Sequence, residues 1–258
     1  MFRFPADRIP VAIILAITCA DFYLYFEVES TTLLVCYWLL LAFPKLQICA
    51  WNHHHQHTRT FHSTALNRLL EFFYALHTGV TTNLWLLHHV LGHHHNYLDQ
   101  TQDESRWKRD SGEQMGEWEY TFKVAMTAYY RGYQVGKRHP RAQREFLVYS
   151  VLTFSIVAAL TWFNPVASLL LFVLPMIVGL VLTSWVTYDH HAGLDSDNVF
   201  AASYSNVGRV YNLLTGNLGY HAAHHYKQGV HWSKLPQLHE QIKDRIPPEL
   251  IQGATATA

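Results

Sequence analysis

Four long apolar runs constrain this chain more than any other feature of its sequence. They cover residues 9–26, 31–51, 146–163 and 166–188. Each approaches the ~20 residues that a helix needs to cross the hydrocarbon core of a bilayer. Short connections join the runs in pairs, so we predict two helical hairpins. Because lipid offers no partner to backbone polar groups, spans of this kind must be helical, and we predict an all-α integral membrane bundle.

The composition agrees with a membrane protein. Half of the 258 residues are hydrophobic, 14% are aromatic, and the formal net charge is zero. The absence of net positive charge argues against nucleic acid as a partner, and the high apolar content argues against a disordered chain. We expect membrane lipid around the spans, and we treat residues 1–258 as a single domain.

The distribution of positive charge predicts how the hairpins are oriented. The short connections carry no Lys or Arg, whereas the segment from Arg59 to Arg144 is rich in both. Because Lys and Arg concentrate on the cytoplasmic side, we predict that the N-terminus, this middle segment and the C-terminal tail are cytoplasmic. Residues 72–90 are predicted as a helix that lies in the membrane interface or dips partly into the bilayer, since their polar side chains make a full span costly. Residues 116–133 are predicted as another interfacial helix.

Most of the 19 histidines stand in three clusters and one pair, each close to an apolar run. The clusters are HHHQH at residues 53–57, HHVLGHHH at 88–95 and HAAHH at 221–225, and the pair is His190 and His191. Neutral imidazole is a common ligand of iron, copper and zinc, and rings three or four residues apart share one face of a helix. The predicted topology places every cluster in a cap on one side of the membrane. The sequence therefore predicts a site for more than one metal ion.

The remaining histidines are predicted to be structural or solvated. They are His62, His77, His139, His231 and His239. A His-rich metal-binding or transport protein is the alternative to an enzyme. A transporter would place its ligands near the middle of the bilayer along a pathway. The clusters gather at one face instead, which favours an enzyme.

The order of the histidine motifs resembles the membrane fatty acid desaturase and hydroxylase superfamily, and within it most of all the alkane omega-hydroxylases and related fatty acid hydroxylases. HVLGHH at residues 89–94 is similar to their HxxGHH box, HHAGL at 190–194 to their EHYGL segment, and HAAHH at 221–225 to their HxxHH box. Two positions depart from the pattern. His54 replaces the acidic residue of the first box, and His190 replaces the glutamate of the lone-His segment.

The resemblance implies an oxidoreductase with two non-haem irons that uses O2 to oxidise an unactivated C–H bond of a fatty acyl or alkyl chain. Hydroxylation is slightly favoured over desaturation, and oxidative decarboxylation to a terminal alkene is a third outcome. The choice between His190 and His191 and the role of the extra box histidines stay open. Asp99, Asp189, Asp195 and Asn212 are candidate acceptors for imidazole N–H groups. The metal ligands implied by the resemblance are His53, His57, His89, His93, His94, His191, His221, His224 and His225.

Such a reaction needs two electrons from outside. The sequence lacks the HPGG signature of a fused cytochrome b5 and has no CxxC spacing for rubredoxin or an iron–sulfur cluster. The resemblance therefore implies a separate electron donor of the ferredoxin, rubredoxin or cytochrome b5 type. Two basic groups could dock an acidic donor or contact lipid headgroups. They are Lys137, Arg138, Arg141 and Arg144, and Arg106, Lys108 and Arg109.

Overall fold

The computed structural model describes residues 1–253, which are mainly helical. The α-helices are α1 (Arg8–Glu27), α2 (Thr31–His57), α3 (Thr64–Thr78), α4 (Glu117–Gly136), α5 (Pro140–Phe163), α6 (Pro165–Ser168), α7 (Leu174–His191), α8 (Arg209–Thr215), α9 (His221–Tyr226) and α10 (Leu235–Ile242). Two segments are π-helical, Leu86–His93 and Leu169–Val173, and four are short 3₁₀ turns, Pro5–Asp7, Trp232–Lys234, Lys243–Arg245 and Pro248–Leu250. Two parallel two-residue strands pair late in the chain, β1 (Ser205–Asn206) and β2 (Ile251–Gln252). The prediction of an all-α fold is confirmed.

Four helical stretches are long and apolar enough to cross a membrane, and they confirm the predicted spans. They are Pro5–Glu27, Thr31–His57, Pro140–Phe163 and Pro165–His191. The second and fourth extend past the predicted apolar runs, as far as His57 and His191. The protein is therefore an integral membrane protein in which two spanning helices carry histidines at their C-terminal ends.

A buried ion pair joins the first two spans. Lys45 Nζ on α2 lies 2.7 Å from Asp21 Oδ2 on α1, and both side chains are buried. Lys45 Nζ also donates to the carbonyl of Leu171 at 3.3 Å. Lys45 thus neutralises a buried carboxylate and also donates to a backbone carbonyl of the fourth span.

The stretch at residues 72–90 is not one interfacial helix, so that prediction was wrong. α3 ends at Thr78, and Gly79 follows with a left-handed φ of 66°. A Cβ on Gly79 would lie 2.2 Å from the carbonyl oxygen of Met176 on α7, so only glycine permits this approach. The chain then continues buried through residues 80–85. Its polar groups find partners inside the protein, for example Thr81 Oγ1 at 2.6 Å from Ser150 Oγ.

The predicted helix at residues 116–133 is present as α4. It packs against α7 and exposes large apolar side chains on its other side, Trp118, Phe122, Met126 and Tyr130. These four side chains follow one another at intervals of four residues and so form a single stripe. An apolar stripe on a helix with charged flanks is typical of a helix at a membrane surface, and the interfacial position of α4 stays a prediction.

Candidate metal centre

The first histidine cluster lies on the last turns of α2. His53 and His57 are one turn apart, with ring centroids separated by 5.0 Å. The two histidines between them point elsewhere. His54 Nε2 contacts a carbonyl at the C-terminal end of α8, and His55 Nε2 lies 3.2 Å from Glu71 Oε1. His53 and His57 therefore share one face of α2, and the two histidines between them lie on other faces, as the i, i+4 spacing predicted.

The second cluster lies on the first π-helical segment and its end. The backbone N–H of His94 bonds the carbonyl of His89, five residues earlier, at 2.9 Å. Because a π turn makes residues five apart neighbours, the Nε2 atoms of His89 and His94 lie 3.0 Å apart. His93 points towards the end of α7, with its Nε2 atom 3.3 Å from Nε2 of His191. The π-helical turn therefore brings His89 and His94 together and directs His93 towards His191, although all three belong to the second histidine cluster.

The third cluster opens α9, next to the end of α7. His191 Nε2 lies 3.0 Å from Nε2 of His221 and 3.1 Å from Nε2 of His225. His190 turns away and forms a hydrogen bond with the hydroxyl of Tyr211 at 3.1 Å. Of the histidine pair, the structure brings His191 to the cluster and leaves His190 beside it.

The ring nitrogens form two groups. In each group, every ring nitrogen lies within 4.8 Å of every other one. The first group takes residues from all three clusters, and the Nε2 atoms of His53 and His224 lie 3.0 Å apart in it, as do those of His89 and His94. His221 is in neither group but adjoins the second, at 3.1 Å from Nε2 of His225. The groups are His53, His57, His89, His94 and His224, and His93, His191 and His225. With His221, they contain all of the predicted ligands.

Two Nδ1 atoms show how the rings are oriented. Nδ1 of His93 donates to Oδ1 of Asp103 at 2.8 Å, and Nδ1 of His191 donates to the carbonyl of Ala202 at 2.9 Å. Each proton on Nδ1 leaves a lone pair on Nε2, the atom that faces the neighbouring imidazoles. Lone pairs that converge in this way are unfavourable unless a cation lies between them. The arrangement fits a metal centre.

Burial keeps the histidines in the neutral state that binds metals. It lowers the pKa well below the ordinary value for His89, His94, His221, His224 and His225. Both ring nitrogens of half-buried His57 are shielded from solvent and lack a hydrogen-bond partner among residues 1–253. An unpaired buried polar atom is costly, and a bound cation would remove that cost. An all-imidazole donor set suits iron, copper or zinc.

Sequence reasoning missed Asp103, the carboxylate that orients His93. The acceptors it named instead do not contact the imidazoles. Asp99 accepts from Thr101, and Asp195 pairs with Lys108. Those predictions, which also included Asp189 and Asn212, were wrong. The one available signal for Asp103 was an acidic residue in the polar segment that follows the second box.

The histidines outside the boxes take no part in the two groups. His231 Nε2 lies 3.0 Å from Asp7 Oδ1, and His77 Nε2 lies 2.9 Å from Thr18 Oγ1, so both are structural. Within the second box, His95 is exposed, and His88 is buried with its ring stacked on Trp85 at 5.2 Å.

An apolar cavity of about 260 Å³ leads to the histidines from between α2, α7 and α8. His53, His89 and His221 line its polar end, and its walls are mainly aliphatic and aromatic. Phe43 lines it too, ten residues before His53 on α2. A helix rises 1.5 Å per residue, so the cavity extends roughly 15 Å along α2.

The two predicted basic groups differ in the structure. The charges of Arg106, Lys108 and Arg109 are matched by the nearby carboxylates of Asp110, Asp195 and Glu119. From the other group, Arg138 and Arg141 line an open groove of about 590 Å³ together with further arginines, which are Arg3, Arg59 and Arg68. Arg59, Arg68 and Arg141 pair there with Glu71 or Glu145. Because five arginines meet these two carboxylates, the groove keeps the larger excess of positive charge.

Comparison with known proteins identifies the family. The family model described as fatty acid desaturase matches residues 30–252. Comparison with curated proteins and with solved structures gave no match. The matched segment includes both groups of ring nitrogens and the apolar cavity. The predicted superfamily and the prediction of an oxidoreductase are confirmed, whereas the resemblance to alkane omega-hydroxylases is not. Since the match covers most of its length, the chain belongs to the fatty acid desaturase family.

Proposed function

We propose that the protein binds two non-haem irons and uses O2 to oxidise an unactivated C–H bond of a fatty acyl or alkyl chain. The observation that carries this proposal is the meeting of two groups of imidazole nitrogens with the end of an apolar cavity. One iron would be held by His53, His57, His89, His94 and His224. The other would be held by His93, His191, His221 and His225.

The metals are needed because an unactivated C–H bond has no acidic proton and no leaving group. Bound iron would supply the oxidising power, which amino acid side chains lack. The protein's own groups hold and orient the rings. Asp103 and the carbonyl of Ala202 keep protons on Nδ1 of His93 and His191, so that their Nε2 atoms are free to bind.

The apolar cavity supports the proposal that the substrate is an alkyl chain. Burying a methylene in an apolar site contributes ~0.8 kcal/mol, so a chain of several methylenes is held firmly. The cavity walls also keep water away from the reacting carbon. Hydroxylation is slightly favoured over desaturation because HVLGHH at residues 89–94 resembles the hydroxylase box. Whether the substrate is hydroxylated or desaturated depends on small differences in the position of the reacting carbon relative to the metals.

Electrons would come from a separate acidic carrier of the ferredoxin, rubredoxin or cytochrome b5 type. The groove that contains Arg138 and Arg141 provides the charge complementarity for docking it. The excess of Lys and Arg in residues 59–144 supports a cytoplasmic active site.

Mass spectrometry of cells fed with fatty substrates under isotopically labelled O2 tests this function. A product that gains one labelled oxygen identifies a hydroxylase, and a product that loses two hydrogens without label identifies a desaturase. His93→Ala and His224→Ala should abolish the product. His95→Ala is the matched control, since His95 belongs to the same box but is exposed and outside both groups.

A different result would favour the other class of protein. If purified protein holds metal but cells with a suitable electron donor make no product beyond that of the His93→Ala and His224→Ala controls, the chain is a metal-binding protein and the proposed oxidation is wrong.

A further inference from the structure

A second cavity, polar in character, adjoins the apolar one. It measures about 350 Å³. His190 and Tyr211 line both cavities, and the hydrogen bond of 3.1 Å between them stands at the junction. The polar cavity lies where the fourth span ends, since Tyr188 and Asp189 of α7 form part of its wall. A polar cavity beyond the end of a span and an apolar one inside the bundle together match an amphiphilic molecule.

The lining of the polar cavity indicates what kind of group it accepts. Asp189 is the one carboxylate among the described residues that line it, and they include no Lys or Arg. The other polar lining groups are the imidazole of His190 and several amides and hydroxyls, among them Gln114, Tyr204 and Asn206. A carboxylate or phosphate placed here would face Asp189 without a cationic side chain in the wall, which is unfavourable. The cavity fits a group that donates hydrogen bonds and carries no negative charge.

The junction also lies next to the histidines. His190 stacks on His221 with ring centroids 3.8 Å apart. His53, His89 and His221 line the apolar cavity at this end, whereas Phe43 lies roughly 15 Å further along α2. A chain that extends from the junction towards Phe43 therefore passes the histidines with its first carbons, and its methyl end lies far from them.

We propose that the polar cavity binds the head group of the substrate, that this head group is a non-anionic hydrogen-bond donor such as a hydroxyl, amide or ammonium group, and that oxidation falls on carbons close to it. This inference rests on the proposed function, because it assigns the substrate class and the position of reaction for the same site. It excludes a free fatty acid and a phosphate-bearing thioester as the preferred substrates.

Equilibrium binding tests the head-group preference without relying on turnover. The purified holoprotein in nanodiscs is titrated with dodecanol, dodecylamine and dodecanoate, which share one chain, and titrations of empty nanodiscs are subtracted. We expect the alcohol and the amine to bind about tenfold more tightly than the carboxylate, because of the charge on Asp189. Equal or tighter binding of dodecanoate would overturn the proposal. A difference between the alcohol and the amine identifies which non-anionic group is preferred.

A charge reversal gives the matched control. Asp189→Lys should reverse the ranking, so that dodecanoate becomes the tightest ligand. Asp195→Lys should leave the ranking as it is, because Asp195 is an exposed carboxylate that pairs with Lys108 and does not line the cavity. Asp189 is itself exposed, so its replacement leaves the buried structure intact. An unchanged ranking in Asp189→Lys would contradict the assignment.

The position of oxidation separates this inference from the proposed function. Chains deuterated near the head group or near the methyl end are supplied to the holoenzyme with an electron donor, and loss of deuterium is measured. Loss near the head group supports the proposal. Loss near the methyl end overturns it and leaves the oxidase function standing. If no oxidation occurs but the binding preference holds, the proposed function fails and the head-group site remains.

Discussion

Asp103 accepts a hydrogen bond from Nδ1 of His93 at 2.8 Å, and both side chains are buried. The carboxylate holds the proton on Nδ1, so Nε2 of His93 presents a lone pair towards His191. A carboxylate behind a metal-binding imidazole also makes the ring a stronger ligand. Asp103 lies outside all the histidine boxes, yet through this contact it orients a metal-binding ring of the second group.

Asp103→Asn should weaken metal binding at the second group by about 10–100-fold, because the amide can accept the hydrogen bond but brings no charge. Iron titration of the purified protein measures the effect. Asp99→Asn is the control, since Asp99 accepts from Thr101 and does not contact an imidazole. Equal affinity of Asp103→Asn and the unmodified protein would show that the carboxylate does not tune the metal.

The proposed function gives two irons per chain, and on that basis His224→Ala should lower the iron content towards one, because His224 contributes to the first group and not to the second. His95→Ala should keep both ions. Elemental analysis of the purified proteins gives the stoichiometry. If the exposed His95 proves as important as His224, the division into two groups is incorrect.

Lys45→Met should destabilise the protein by about 3–5 kcal/mol, because it leaves the buried carboxylate of Asp21 without its partner. The double variant Asp21→Asn with Lys45→Met should recover part of that loss, since no unpaired charge remains. Thermal unfolding in detergent measures both. A double variant no more stable than Lys45→Met would mean that the unpaired charge of Asp21 is not what destabilises Lys45→Met.

Gly79→Ala should destabilise the crossing of α3 and α7. The left-handed backbone alone costs an alanine about 1–3 kcal/mol, and the new Cβ would meet the Met176 carbonyl at 2.2 Å. Gly112→Ala separates the two effects, because Gly112 has a φ of +87° and nothing within 4 Å of its Cβ position. We expect a larger drop in Tm for Gly79→Ala than for Gly112→Ala. Equal drops would show that the close approach to α7 contributes nothing.

Local sequence was sufficient to predict the spans and the residues that gather at the candidate site. A run of apolar residues as long as Thr31–Trp51 has few stable forms other than a membrane helix. The spacing of His53 and His57 places both rings on one face once that helix continues past the membrane. Both arguments depend on residues close in sequence.

Contacts between distant residues could not be predicted in this way. The left-handed turn at Gly79 is needed because the backbone of α7 passes there, almost 100 residues later in the chain. The polar cavity is lined by residues as far apart as Gln114 and Gln252. Neither feature has a local pattern, because each depends on which surfaces pack together.

The sequence by itself determined an all-α membrane protein of four spans, with histidines of metal-binding spacing next to them, because hydrophobic length and helical periodicity are local properties. The tertiary structure alone decided how those histidines divide between two groups. A π-helical turn sends His89 and His94 to one group and His93 to the other. It also decided that Asp103 is the carboxylate behind His93, because a hydrogen bond depends on the position of two side chains in space and not on their residue types.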